Sequence, residues 1–230
     1  VLRRLRALAN PANVAGMARF GINPSGTLGV SIPILRRIAR EVGTDHALAA
    51  ALWASGVHEA RILAALVDDP ARVSRAQMNR WAADFDSWDV CDQVCSGLFD
   101  RTPFAFQKAL AWAERREEFV KRAGFVLMAA LAVHDRQAPD AAFERCLPVI
   151  ARHSTDERNF VKKAVNWALR QIGKRNPRLN RKAIARARVI QRLPSRAARW
   201  IAADALRELT GEGVQRTLVR RATANRAAAR

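Results

Sequence analysis

Pro33, Pro70, Pro103, Pro139 and Pro177 recur at intervals of 33 to 38 residues, each near the start of a helix or between two. That is the period of a two-helix repeat, and it constrains the chain more than any other feature. Residue chemistry agrees with it. Alanine, leucine and arginine dominate, tyrosine is absent, and isoleucine and valine rarely alternate, so helix is favoured throughout. Two short helices are expected within residues 1–22, followed by a Gly/Pro/Ser-rich turn. Further helices are expected at Pro33–Val42, Asp45–Ser55, Val57–Val67, Ser74–Phe85, Ser87–Phe99, Pro103–Arg115, Glu117–Val133 and Pro139–Arg152. Asn159–Gly173, Arg178–Arg192 and Ser195–Leu209 complete the set. Nearly every join is short and carries Gly, Pro, Asp or Ser, as antiparallel neighbours require. The expected fold is all-α: a superhelical solenoid of antiparallel helix pairs, HEAT-like, whose curvature offers a concave face. Residues 1–213 read as one domain and 214–230 as a basic tail, either frayed or a frayed helix.

Charge narrows the partners. The net charge is +19, and it is unevenly placed. From Ala151 to Arg230 there are 21 basic residues against 5 acidic ones, which leaves only +3 for the first 150 residues. Such asymmetry implies a polyanionic partner, with nucleic acid first among the candidates.

Cys91, Cys95 and Cys146 are too few and scattered for a disulfide framework, which points to a reducing cytosol. No segment resembles a signal peptide. The longest uncharged apolar run, Ala123–Val133, is too short to span a bilayer. The chain opens on Val1 rather than Met, which is expected where N-terminal residues are missing or trimmed. No metal-ligand spacing, phosphate loop, dinucleotide fingerprint or nucleophile elbow is present, and neither metal nor cofactor is expected. Cys91 and Cys95 share a helix face with Val94 and Leu98 and read as core.

Three stretches carry candidate chemistry. In Asn159–Gly173, Val161, Val165, Ala168, Leu169 and Ile172 form the core face at about 100° per residue. Trp167 projects elsewhere, in a stripe with Lys163, Arg170 and Lys174. Two readings stay open: an anion-holding surface, or an indole packed on a neighbouring helix among snorkelling lysines. Ser154 and Glu157 predict a capping box for this helix, and Gly173 its close. In Ser87–Phe99, Trp88 and Asp92 lie beside one another at i and i+4, away from the core side. Asp89 fits as a charge favourable to the helix N-terminus. In Glu117–Val133, Arg122 is the last charge before the apolar run; an arginine there needs a carboxylate or a phosphate. Two indoles, a carboxylate and an arginine suit hydrolysis of a bond to a cationic leaving group, if the fold assembles them.

These segments resemble the DNA alkylation repair glycosylases of the AlkD type, built from HEAT-like repeats. The resemblance is carried by Ser87-Trp88-Asp89-Val90-Cys91-Asp92, by Phe119-Val120-Lys121-Arg122-Ala123 and, most specifically, by the run from Phe160 to Arg170, continuing to Asn176-Pro177. Gly29 to Arg37 resembles an early G-[IV]-x-x-P-x-x-R-R segment of that family. Together they span roughly residues 15–210 in the family's order.

The resemblance implies a monofunctional glycosylase that hydrolyses the N-glycosidic bond of cationic N3- and N7-alkylated purines in duplex DNA. It implies that the base is not extruded, unlike the general flipping strategy. It also implies that Trp88, Asp92, Trp167 and Arg122 form the catalytic group. The phosphate contacts it suggests are Arg36, Lys121, Lys163, Arg170, Lys174 and Arg175. A monomer in a bacterial-type cytosol, without a membrane, is expected. Phe20 and Ile32 replace a tyrosine and a threonine of the family, which removes two polar contacts to DNA. A non-catalytic helical-repeat module binding duplex or branched DNA is the alternative, and retention of all four site residues argues against it.

Overall fold

A computed structural model describes residues 1–228, with side chains through Arg221 and at Thr223. The described residues form helices joined by turns and short 3-10 segments. The chain divides into two compact units, residues 1–105 and 106–230, where sequence alone suggests one domain and a tail.

The N-terminal unit holds α1 (Leu2–Ala7), α2 (Pro11–Ala18), α3 (Ile32–Val42), α4 (His46–Ala54), α5 (His58–Val67), α6 (Arg75–Ala83) and α7 (Trp88–Gly97). Helix starts follow local chemistry. Asn10, Asp45 and Ser74 accept the backbone N–H three residues on, which satisfies donors that the first helical turn leaves open. α5 is the spine, buried along most of its length, with α3, α4 and α7 packed on it. Trp53 and Trp81 stack at 4.1 Å in this core, and the Trp53 indole N–H donates to Asp84 at 2.8 Å.

The turn before α3 is tied down by a buried carboxylate. Glu59 accepts the backbone N–H groups of Leu28, Gly29 and Val30 at 2.8, 2.6 and 3.2 Å. Gly29 adopts φ +80°, and a Cβ there would stand 2.3 Å from the Asn10 carbonyl oxygen. Only glycine fits.

The C-terminal unit holds α8 (Ala105–Ala113), α9 (Glu118–His134), α10 (Asp140–Arg152), α11 (Asn159–Gly173), α12 (Pro177–Gln191), α13 (Arg196–Leu209) and α14 (Glu212–Ala228). α9, α11 and α13 pack in succession as one layer, with α10 against α12 in a second. This alternation is the helix-pair repeat that the proline period announces. α9 lies at the centre: every residue from Arg122 to Ala132 is buried. Each Leu, Val or Phe there contributes about 1.5–3 kcal/mol of transfer free energy.

One local expectation is corrected. Ser154 and Glu157 do not cap α11. Ser154 is buried and donates to the Ala151 carbonyl at 2.8 Å. Glu157 accepts from Ser195 at 3.0 Å and from the Ala197 backbone N–H at 3.1 Å, so it caps α13 instead. α11 ends on Gly173, as expected, with Lys174 beyond it in a right-handed rather than a left-handed conformation. The missing side chain of Gly173 admits Leu209 of α13, whose methyls stand 2.7 Å from where a Cβ would lie. Residues 212–228 form α14, with Leu218 buried, so the basic stretch past Gly213 is helical as far as 228. Its last two residues lie outside the described ones.

Candidate functional site

In the N-terminal unit the candidate chemistry sits on α7. Val90, Cys91, Val94 and Cys95 are buried and fix which flank of α7 faces the core. That leaves Trp88 and Asp92, one turn apart, half-buried on the adjoining flank. The Trp88 indole N–H donates to the Phe20 carbonyl at 3.0 Å, which fixes one edge of the ring. Ser96 donates to the Asp92 carbonyl at 2.6 Å, a local bond within the helix.

The start of α7 is anchored by a buried ion pair. His58 Nε2 lies 2.8 Å from Asp89 Oδ2, and Ser87 donates to the other carboxylate oxygen at 2.6 Å. Burial alone would lower the His58 pKa, yet the hydrogen bond and charge of Asp89 outweigh it and hold it raised. Burial likewise pushes Asp89 up, but His58 and Ser87 hold it below the usual carboxylate value. Asp89 sits in the first turn, where the sequence places it, and its work is structural. Phe20 is 72% exposed, and Arg36 on α3 is exposed as well.

In the C-terminal unit Arg122 is 5% exposed and donates through Nη1 to the Phe160 carbonyl at 2.6 Å. It thereby ties α9 to the first turn of α11. Trp167, on α11, is half-buried, and Lys163 beside it is exposed.

The remaining cations of the stripe have partners that the sequence did not reveal. Arg170 contacts Asp204 at 2.8 Å and Glu208 at 2.9 Å. Lys174 contacts Glu208 at 2.6 Å, and Asn166 donates to Asp204 at 2.7 Å. α13 therefore brings two carboxylates against the cationic row of α11.

Lys121 shares its ammonium with Asp156 and His153, at 3.5 and 3.4 Å. Arg175 donates to the Ala132 and Ala138 carbonyls at 3.2 and 2.8 Å, with its guanidinium 4.4 Å from the Phe143 ring centroid. Burial lowers its pKa. It is a strut at the end of α9.

Three of the six tryptophans, Trp53, Trp81 and Trp112, are buried. Trp88, Trp167 and Trp200 reach solvent, Trp200 most of all at 42%. From the sequence Trp200 is given no part. The i, i+4 spacing of Trp200 and Asp204 repeats that of Trp88 and Asp92 and was the available signal.

The cysteines are buried. Burial pushes the Cys146 thiol up to about 12 and the Cys95 thiol well above its usual value, which leaves both unreactive. Among the described residues no cluster of three His, Cys, Asp or Glu side chains has metal-site geometry. None of their helices is long and apolar enough to cross a membrane.

Helix pairs in this order define a HEAT-like repeat protein. A solved structure from "a new family of proteins related to the HEAT-like repeat DNA glycosylases with affinity for branched DNA structures" superposes with a TM-score of 0.75. It is 20% identical and covers 90% of this chain and 94% of its own. A designed armadillo repeat protein in complex with the peptide (KR)4 reaches a TM-score of only 0.35 at 13% identity, over 80% of this chain and 88% of its own, too distant to carry any argument. No curated protein matches at a significant level. The family model described as DNA alkylation repair enzyme matches residues 1–209, and the chain belongs to that family.

Proposed function

We propose that this member of the family is a monofunctional DNA glycosylase acting on cationic N3- and N7-alkylated purines in duplex DNA, without extruding the base. The observation that carries the reading is the Trp88–Asp92 pair: an indole and a carboxylate one helical turn apart, half-buried, with the indole edge held by the Phe20 carbonyl.

The chemistry needs little help. An alkylated purine already carries positive charge, so the glycosidic bond breaks with its electron pair leaving on a neutral base. No general acid is required. The sugar is left as an oxocarbenium-like cation. Asp92 stabilises that cation and orients a water, whose oxygen bonds to the anomeric carbon while its proton passes to the carboxylate or to solvent. The face of Trp88 attracts the same positive charge.

Trp167 is the second indole, assigned to packing on deoxyribose, and Arg122 is assigned to the catalytic group. Because Arg122 donates to the Phe160 carbonyl, its part is to set the start of α11, from which Trp167 projects. Arg36 and Lys163 are the exposed phosphate contacts. Arg170 and Lys174 share their charge with Asp204 and Glu208, and Lys121 with Asp156. Arg175 is held by carbonyl oxygens and supports the fold. The partner is double-stranded DNA, met by a monomer in the cytosol or nucleoid.

Release of 7-methylguanine from a duplex carrying one such lesion tests the reading. Asp92→Asn lowers the single-turnover rate about 100-fold and leaves duplex affinity in place. Release at the wild-type rate by that variant removes Asp92 from the chemistry. The relative with affinity for branched DNA favours a second reading, a non-catalytic binding module. That reading wins if the wild type releases no base yet binds a duplex or a four-way junction tightly.

A further inference from the structure

The arginine-rich part of the chain after residue 178 and the exposed Trp200 have no role in the chemistry above. α13 is sharply two-sided. Ala197, Ala198, Ile201, Ala202, Ala205 and Leu209 are buried. Arg196, Arg199, Trp200 and Arg207 are exposed. The Lys162 ammonium, from α11, stands 5.2 Å from the Trp200 ring centroid. The two carboxylates of α13, Asp204 and Glu208, are turned toward Asn166, Arg170 and Lys174 on α11, and Asp204 also pairs with Arg207 of α13 itself. Between Asn159 and Leu209, α11 with its cap and α13 carry seven cations and only these two acids.

An indole left 42% exposed inside such a field fits one kind of partner. A protein face covering it would strip water from several unpaired cations, at a cost. A nucleic acid supplies phosphates for those cations and a flat sugar or base surface for the ring.

We infer that α13, beside α11, is a second DNA-contact surface of the C-terminal unit, with Trp200 laid on a deoxyribose and Arg196 and Arg199 on backbone phosphates. This rests on the DNA reading above and extends it to residues with no part in base release. The contact reads no sequence and does not depend on damage, because sugar and phosphate are common to every nucleotide. The Lys162 ammonium over the Trp200 ring places a cation beside the same sugar–phosphate contact.

The test is binding of the full chain to a short undamaged duplex, by fluorescence anisotropy over a series of salt concentrations. Trp200→Ala raises Kd about fivefold or more while the circular dichroism spectrum stays helical. Arg199→Ser lowers the slope of log affinity against log salt by about 0.9, one phosphate contact. Arg181→Ser with Arg188→Ser, exposed positions of α12, changes affinity less than Trp200→Ala.

Wild-type affinity in Trp200→Ala overturns the inference. So do equal losses from the α12 and α13 substitutions, which would mean that affinity is a diffuse charge effect. If Trp200→Ala fails to fold, Arg199→Glu on the same exposed face carries the test, and an unchanged salt slope overturns the proposal. Binding is read apart from base release, so the two conclusions fail separately. A wild type that releases no base removes the glycosylase reading alone. A wild type that releases base, with Trp200→Ala binding normally, removes only the α13 surface.

Discussion

His58 Nε2 lies 2.8 Å from Asp89 Oδ2, and this bond joins the spine helix α5 to the first turn of α7, one residue beyond Trp88. Both side chains are largely buried, at 3% and 15% exposure, so the pair sets the register of the helix that carries the candidate carboxylate. It also makes stability depend on pH in a defined direction. The His58 pKa is raised in the folded protein, so its contribution is complete below the unfolded value of about 6.5 and is lost as pH climbs through the folded value. The Asp89 pKa is depressed, so its contribution is complete above about 3.9 and is lost as pH falls through its folded value. Stability from the pair is therefore greatest between about pH 4 and 6.5. Urea denaturation of wild type and Asp89→Asn across pH 3–9 should show a difference of about 3 kcal/mol inside that window, shrinking on both sides. A difference that is flat with pH would show that the pair does not titrate as described.

Glu59→Gln should destabilise the N-terminal unit by about 2 kcal/mol. The carboxylate accepts three backbone N–H groups through its two oxygens. An amide offers one acceptor and sets its NH2 against the donors on the other side. A thermal melt reports the loss, and an unchanged Tm would mean that the turn before α3 is held by other contacts.

Arg122→Met separates support from catalysis. Loss of the guanidinium removes its charge-assisted hydrogen bond to the Phe160 carbonyl and should cost about 2 kcal/mol, read as a lower urea midpoint. Base release should fall with it, because α11 and Trp167 lose their anchor. A fall in base release with an unchanged midpoint would place the arginine on the DNA instead.

Gly124→Ala should destabilise by about 3 kcal/mol. A Cβ at this position would stand 2.4 Å from the Ala113 nitrogen and 2.9 Å from the Ala109 carbonyl oxygen. Both are backbone atoms of α8, so no side chain can turn aside, and α9 would have to separate from it. Calorimetry of this variant beside Gly97→Ala, a glycine with open space around it, isolates the steric effect.

The helices and their order were legible because the signals that set them are local. The period of apolar residues along α11, the proline recurrence and caps such as Asn10 and Ser74 act within a turn or two. The failures came from residues whose partners lie on another helix. Ser154 and Glu157 have the spacing of a capping box, yet Glu157 finds the start of α13, where Ala197 offers an unpaired N–H. Gly173 does end α11, but the close approach of Leu209 that it admits is invisible in the sequence.

The cationic stripe beside Trp167 shows the same division. Sequence alone determined that Lys163, Arg170 and Lys174 share a face with the indole, because helical geometry fixes which residues align. It also determined the all-helical repeat, the placement of Trp88 beside Asp92 and the strongly basic C-terminal half. Only tertiary structure decided that Asp204 and Glu208 neutralise Arg170 and Lys174 while Lys163 stays exposed. It also decided that Arg175 is a strut and that Trp200, rather than Trp112, reaches solvent. Coulombic and hydrogen-bond energies fall steeply with distance, so they are set by which helices pack together, and no local pattern in the chain records that choice.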